Sequence, residues 1–73
     1  MKVKISHIET PQNKVLVELN FMEYIPYEDE CITIGGQDYM VVSRDVETYI
    51  NNTVCEQIVN INVLTWEEYD DRH

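Results

Sequence analysis

The sequence predicts an all-β fold, a small antiparallel sheet or a partly open SH3- or OB-like barrel of about five strands. Three observations carry that expectation. Nine Val and eight Ile stand against three Leu and no Ala, a balance that removes the best helix formers and keeps the β-branched residues. Apolar residues alternate with polar ones along several stretches, with the period of two that a half-buried strand needs. Short clusters of Gly, Pro and Asn separate those stretches at turn spacing.

Taken in order, Lys2 to Glu9 is the first strand, with Val3 and Ile5 alternating with Lys2, Lys4 and Ser6. Thr10-Pro11-Gln12-Asn13 is turn chemistry, so a hairpin is expected. The return strand, Lys14 to Met22, places Val15, Val17, Leu19 and Phe21 on one face. Tyr24 to Glu30, with Pro26 and three consecutive acids, reads as an exposed loop. Cys31 to Ile34 and Asp38 to Ser43 form a second hairpin around Gly35-Gly36-Gln37. Both faces of Tyr39 to Val42 are apolar, which suits a central or covered strand. Arg44 to Asn52 fits a helix or a strand, and we read it as a strand ending in an Asn51-Asn52 turn.

Thr53 to Trp66 is the last long strand. Val59, Ile61 and Val63 share one face and Asn60, Asn62 and Leu64 the other, and the pattern breaks near Gln57, where a bulge is expected. Thr65-Trp66-Glu67-Glu68 matches a capping box, which predicts one short C-terminal helical turn. Trp66 and Tyr39 are expected in the core, and Tyr24, Tyr27 and Tyr69 on the surface.

Seventy-three residues support one domain, here 1–73, with an N-terminal hairpin (1–22), the remaining strands (31–66) and an acidic tail (67–73). A sheet this small leaves strand edges unpaired, so a homodimer is expected. No apolar run of about 18 residues and no signal-peptide pattern is visible, which points to a cytoplasmic protein without membrane contact. In that compartment Cys31 and Cys55, both within apolar stretches, read as reduced and buried thiols.

Charge is the most informative feature. Fourteen acids against five Lys and Arg give −9; residues 1–14 sum to +2 and residues 15–73 to −11. Direct nucleic-acid binding is disfavoured, and a charged partner should be basic. The acids cluster at Glu28-Asp29-Glu30, at Asp38, Asp45 and Glu47, and at Glu67-Glu68-Asp70-Asp71. On a strand, Asp45 and Glu47 would lie roughly 7 Å apart on one face. Tyr24 and Tyr27 beside such acids are the residue types that anchor interfaces. Charge runs usually serve solubility, but −9 exceeds the net charge of about 2 to 8 that solubility asks of a small domain.

Other chemistry finds little footing. No calcium loop or zinc spacing is present, so no metal site or cofactor is expected. His7 could act with Cys31 or Cys55 only if the fold joined them, and Gly35-Gly36 lacks the Lys of a phosphate loop, so we expect no enzyme. In size, acidity and strand-rich pattern the chain resembles the small, acidic, β-rich proteins that phages use in host takeover and anti-defence, the DNA mimics among them. The acids named above carry the resemblance. It implies an inhibitor that occupies the DNA-binding surface of a basic host protein: a nucleoid-associated protein, a nuclease, a glycosylase or RNA polymerase. The alternative is a small SH3-like adaptor in a larger assembly such as a phage particle.

Overall fold

A computed structural model describes residues 2–8 and 13–71. The expected turn at Thr10 to Gln12, and Arg72 and His73 of the acidic tail, lie outside these. The elements are β1 (Lys2–Ile8), β2 (Asn13–Leu19), β3 (Cys31–Ile34), β4 (Gln37–Asn51), β5 (Val54–Thr65) and α1 (Trp66–Asp71). Strands make up 68% of the described residues and form one five-stranded sheet in the order β2-β1-β5-β4-β3, curved into a half-barrel. The all-β, partly open barrel read from composition is the observed architecture.

The sheet is mixed, not antiparallel throughout. Three pairings are antiparallel, but β1 runs parallel to β5 from Lys2↔Ile58 to His7↔Val63. That register stacks Val3 on Val59, Ile5 on Ile61 and His7 on Val63, and β4 adds Val41 opposite Val63. These are the alternating apolar positions of three neighbouring strands, and they build the core: Val3, Ile5, Val41, Val59, Ile61 and Val63 are buried together. Burying each side chain contributes about 1.5–3 kcal/mol. Met22 and Ile25 from the segment after β2 pack against this cluster beside Leu16, Val17, Leu19, Ile32, Ile34 and Tyr39.

Several local expectations change. The return strand stops at Leu19, and Phe21 leaves the sheet to stand 73% exposed. Residues 38–43 and 44–51 belong to one 15-residue strand, Gln37–Asn51, because the β-branched positions Val46 and Thr48 pair continuously with β5. No bulge falls near Gln57, which pairs regularly with Thr48; the irregularities lie between Val41 and Ser43 and between Ile5 and Ser6. Met40 and Val41 precede the first of these in regular alternation and are buried on opposite faces of the strand, as its two apolar faces suggest.

Trp66 is not core. It opens α1, where the side-chain period changes from two to 3.6 and swings the indole outward, leaving it 43% exposed. Cys31 and Cys55 are free, as expected, but exposed: one lies on the four-residue β3, the other on the part of β5 that extends past β1. Apolar sequence neighbours do not bury a side chain when no further layer covers its strand. Tyr24 and Tyr27 are exposed, while Tyr69 is half-buried.

Candidate functional site

The segment between β2 and β3 is fixed to the sheet by its backbone. Asp29 N donates to Val41 O at 2.8 Å and Val41 N to Glu30 O at 2.9 Å, which extends the β3–β4 pairing by one residue, to Val41. Asp29 sits at φ 69°, a left-handed conformation that Asp adopts more readily than most residues. Within the loop, Glu30 Oε1 accepts from Tyr27 N and from the Tyr24 hydroxyl, both at 2.7 Å. The Tyr27 amide first, and the Tyr24 hydroxyl second, hold the Glu30 carboxyl below its ordinary range; the same bond raises Tyr24. Arg44 closes the loop from the sheet side: its guanidinium lies 3.9 Å from the Tyr27 ring centre and donates to Ile25 O at 3.3 Å.

At the other end of the chain, Thr65 and Glu68 form the predicted capping box. Glu68 N donates to Thr65 Oγ1 at 3.3 Å, while Glu68 Oε1 accepts from Thr65 N at 2.9 Å and Thr65 Oγ1 at 3.0 Å. The same carboxylate oxygen meets His7 Nε2 at 2.6 Å. The Thr65 amide, and next His7, keep Glu68 below the ordinary carboxyl range. His7 also lies edge-on to Tyr39, with ring centres 5.7 Å apart, so β1 and β4 both hold α1 in place.

These two constructions meet. The Tyr69 hydroxyl donates to Asp29 Oδ1, joining α1 to the loop. Segments 23–30 and 66–71 together hold eight of the fourteen acids and no Lys or Arg. Two edge-on aromatic pairs flank them: Tyr24 with Tyr27, and Trp66 with Tyr69. Glu28, Asp29, Glu67, Asp70 and Asp71 remain exposed. Glu30 and Glu68 serve the local structure instead.

The remaining predicted site residues lie elsewhere. Asp38 is on the β3–β4 hairpin, where it accepts from the Thr33 hydroxyl at 2.6 Å. Asp45 and Glu47 occupy the sheet face opposite the core, where Glu47 accepts from Tyr49 and Asn60. Tyr49 first, then Asn60, hold Glu47 below its ordinary range. Lys4 also faces Glu47, and Lys2 lies 3.2 Å from Glu56, so cations from β1 interleave with the acids there. The predicted acidic set is therefore two surfaces and an outlier. Sequence reasoning missed the His7–Glu68 and Arg44–Tyr27 contacts, which link positions distant along the chain and leave no local signal.

Neither cysteine meets His7. Cys31 pairs with Met40 on the opposite face of the sheet, and Cys55 lies eight β5 positions from the partner of His7, about 25 Å along the strand. Among the described residues no three His, Cys, Asp or Glu side chains converge as a metal-binding set, and no helix is long and apolar enough to cross a membrane. No protein-family model, curated protein or solved structure matches this chain.

Proposed function

We propose that the acidic end formed by residues 23–30 and 66–71 binds the nucleic-acid-binding surface of a basic protein and excludes DNA from it. The observation that carries this reading is the convergence itself: eight acids without a cation in either segment, drawn together by Tyr69 and Asp29. Like charges gathered at one end of a small domain oppose folding, and a cationic partner relieves that repulsion while the field speeds encounter. The half-exposed aromatic pairs supply contact area beside the charges, as interface anchors do. Glu28, Asp29, Glu67, Asp70 and Asp71 are the contact acids in this reading, with Tyr24 and Tyr27 at the rim. Asp38, Asp45 and Glu47 contribute only to the long-range field.

The test is a pull-down from bacterial lysate at low salt, eluted by a salt gradient and challenged with duplex DNA. A basic DNA-binding protein, displaced by DNA, is expected. A variant with Glu28, Glu67→Gln and Asp29, Asp70, Asp71→Asn changes the net charge from −9 to −4 and should release that partner at lower salt, with the fold intact. A partner that resists salt and DNA, or that the variant retains equally, overturns the proposal.

A further inference from the structure

The edges of the sheet are not equally protected. The outer edge of β2 carries Lys14, Glu18 and an irregular register, and β3 is only four residues long; both are ordinary defences against edge pairing. β4 differs. β3 pairs with it only as far as Met40 and the loop adds Val41, so among the described residues no strand pairs with the outer side of Ser43–Asn51, which the loop meets through the Arg44 side chain. On the inner side, β1 meets β5 only from Ile58 onward. The tip of the β4–β5 hairpin is therefore a two-stranded arm, a construction that is marginal in water by itself.

The faces of the arm are chemically distinct. Val46, Thr48 and Ile50 lie across from Val59, Gln57 and Cys55 and continue the core face outward with no formal charge. The opposite face carries Asp45, Glu47 and Glu56. Val46 is 53% and Ile50 74% exposed, an apolar stripe continuous with the buried core. A two-residue turn joins Asn51 to Val54, and antiparallel alternation from that closing pair sends the amides and carbonyls of Val46, Thr48 and Ile50 outward, unpaired.

We infer that this edge pairs antiparallel with the same edge of a second copy of the chain, with Thr48 opposite Thr48. Charge selects both the occupant and the register. The uncharged face of a −9 chain is where a second copy can approach, and in this register Val46 lies opposite Ile50, Glu47 opposite Tyr49 and Asp45 opposite Asn51. Each acid meets a hydroxyl or an amide. Centring the pair on Glu47 sets that carboxylate against itself, and centring it on Val46 sets Asp45 against Glu47. Centring on Tyr49 avoids acid pairs but shortens the overlap to Glu47–Asn51. The dimer is one continuous sheet, and because α1 sits at the far end of β5 from the arm, the two acidic ends point away from the interface. The inference does not depend on what those ends bind.

Sedimentation velocity across micromolar to sub-millimolar concentrations tests it, with the full chain under reducing conditions. A concentration-dependent dimer is expected. Thr48→Pro removes an outward amide that the β4–β5 ladder does not use and should yield a monomer with unchanged far-UV circular dichroism. The decisive pair is at Asn51, whose side chain is exposed: Asn51→Lys, facing Asp45 of the second copy, should tighten the dimer and Asn51→Asp should weaken it, each by about twofold to thirtyfold over the two symmetric pairs. A wild-type chain that stays monomeric, or Asn51 variants that fail to move the dissociation constant in opposite directions, overturns the inference; the second result stands even if Thr48→Pro does not fold.

Discussion

Tyr69 donates its hydroxyl to the Asp29 carboxylate across 40 residues of sequence, and this one bond turns two separate acidic segments into a single surface. Tyr69→Phe keeps the ring against Trp66 and removes the hydroxyl that makes the bond. The amides of residues 66–71 should then exchange with solvent faster while those of β5 keep their protection, a local loosening that hydrogen exchange reads residue by residue. Unchanged exchange in α1 would mean that the capping box alone holds the helix.

Acid should loosen the same helix through Glu68. Its folded-state value lies below the ordinary 4.5, so the charged carboxylate contributes stability that is fully present above that value and is lost as pH falls through the folded one. Acidification also neutralises the other carboxylates and relieves their repulsion. The difference between wild type and Glu68→Gln isolates this group, since Gln retains the capping geometry but not the charge. Chemical denaturation should show the two chains converging as pH falls below 4.5. Thr65→Ala removes the other half of the box and should cost about 1 kcal/mol at neutral pH.

Alkali acts on the loop in the opposite sense. Tyr24 is raised above 10.0 chiefly because its hydroxyl donates to Glu30, so the bond is fully formed below that value and is lost as pH rises through the raised one. Spectrophotometric titration should find tyrosines ionising above the ordinary range. Glu30→Ala should return Tyr24 toward 10.0, and an unshifted titration in the wild type would contradict the geometry.

Ile61 is fully buried between β1 and β4, so Ile61→Ala should destabilise the domain by about 2–5 kcal/mol, enough to unfold a chain of this size at physiological temperature. Ile50→Ala, at the exposed tip of the arm, should leave the unfolding free energy of the monomer within about 0.5 kcal/mol of wild type. Urea denaturation at low protein concentration compares the two.

What could be read from the sequence was set by short-range chemistry. The Gly35-Gly36 turn, with φ of 57° and 82°, the Thr65–Glu68 box and the alternation of Val59, Ile61 and Val63 each place their signal within a few residues. The parallel β1–β5 pairing has no such signal, because either strand direction buries Val3 and Ile5 equally well. The acidic site was legible as a list of residues but not as surfaces: spacing along the chain cannot reveal that Tyr69 reaches Asp29, or that Lys4 stands beside Glu47. Trp66 and the two cysteines were misplaced for a related reason. Hydrophobic neighbours in sequence signal burial only where a second layer lies over the strand.

The parallel pairing of β1 with β5 also sets a schedule for synthesis. Of the five strands of this sheet, β1 is made first and finds its central neighbour only in β5, so Val3, Ile5 and their hairpin have no core to join until Val59, Ile61 and Val63 emerge. Closing so long a loop before any burial rewards it is the slow step of such topologies. Until β5 has been made, the nascent β1–β2 hairpin has no buried face on which to dock.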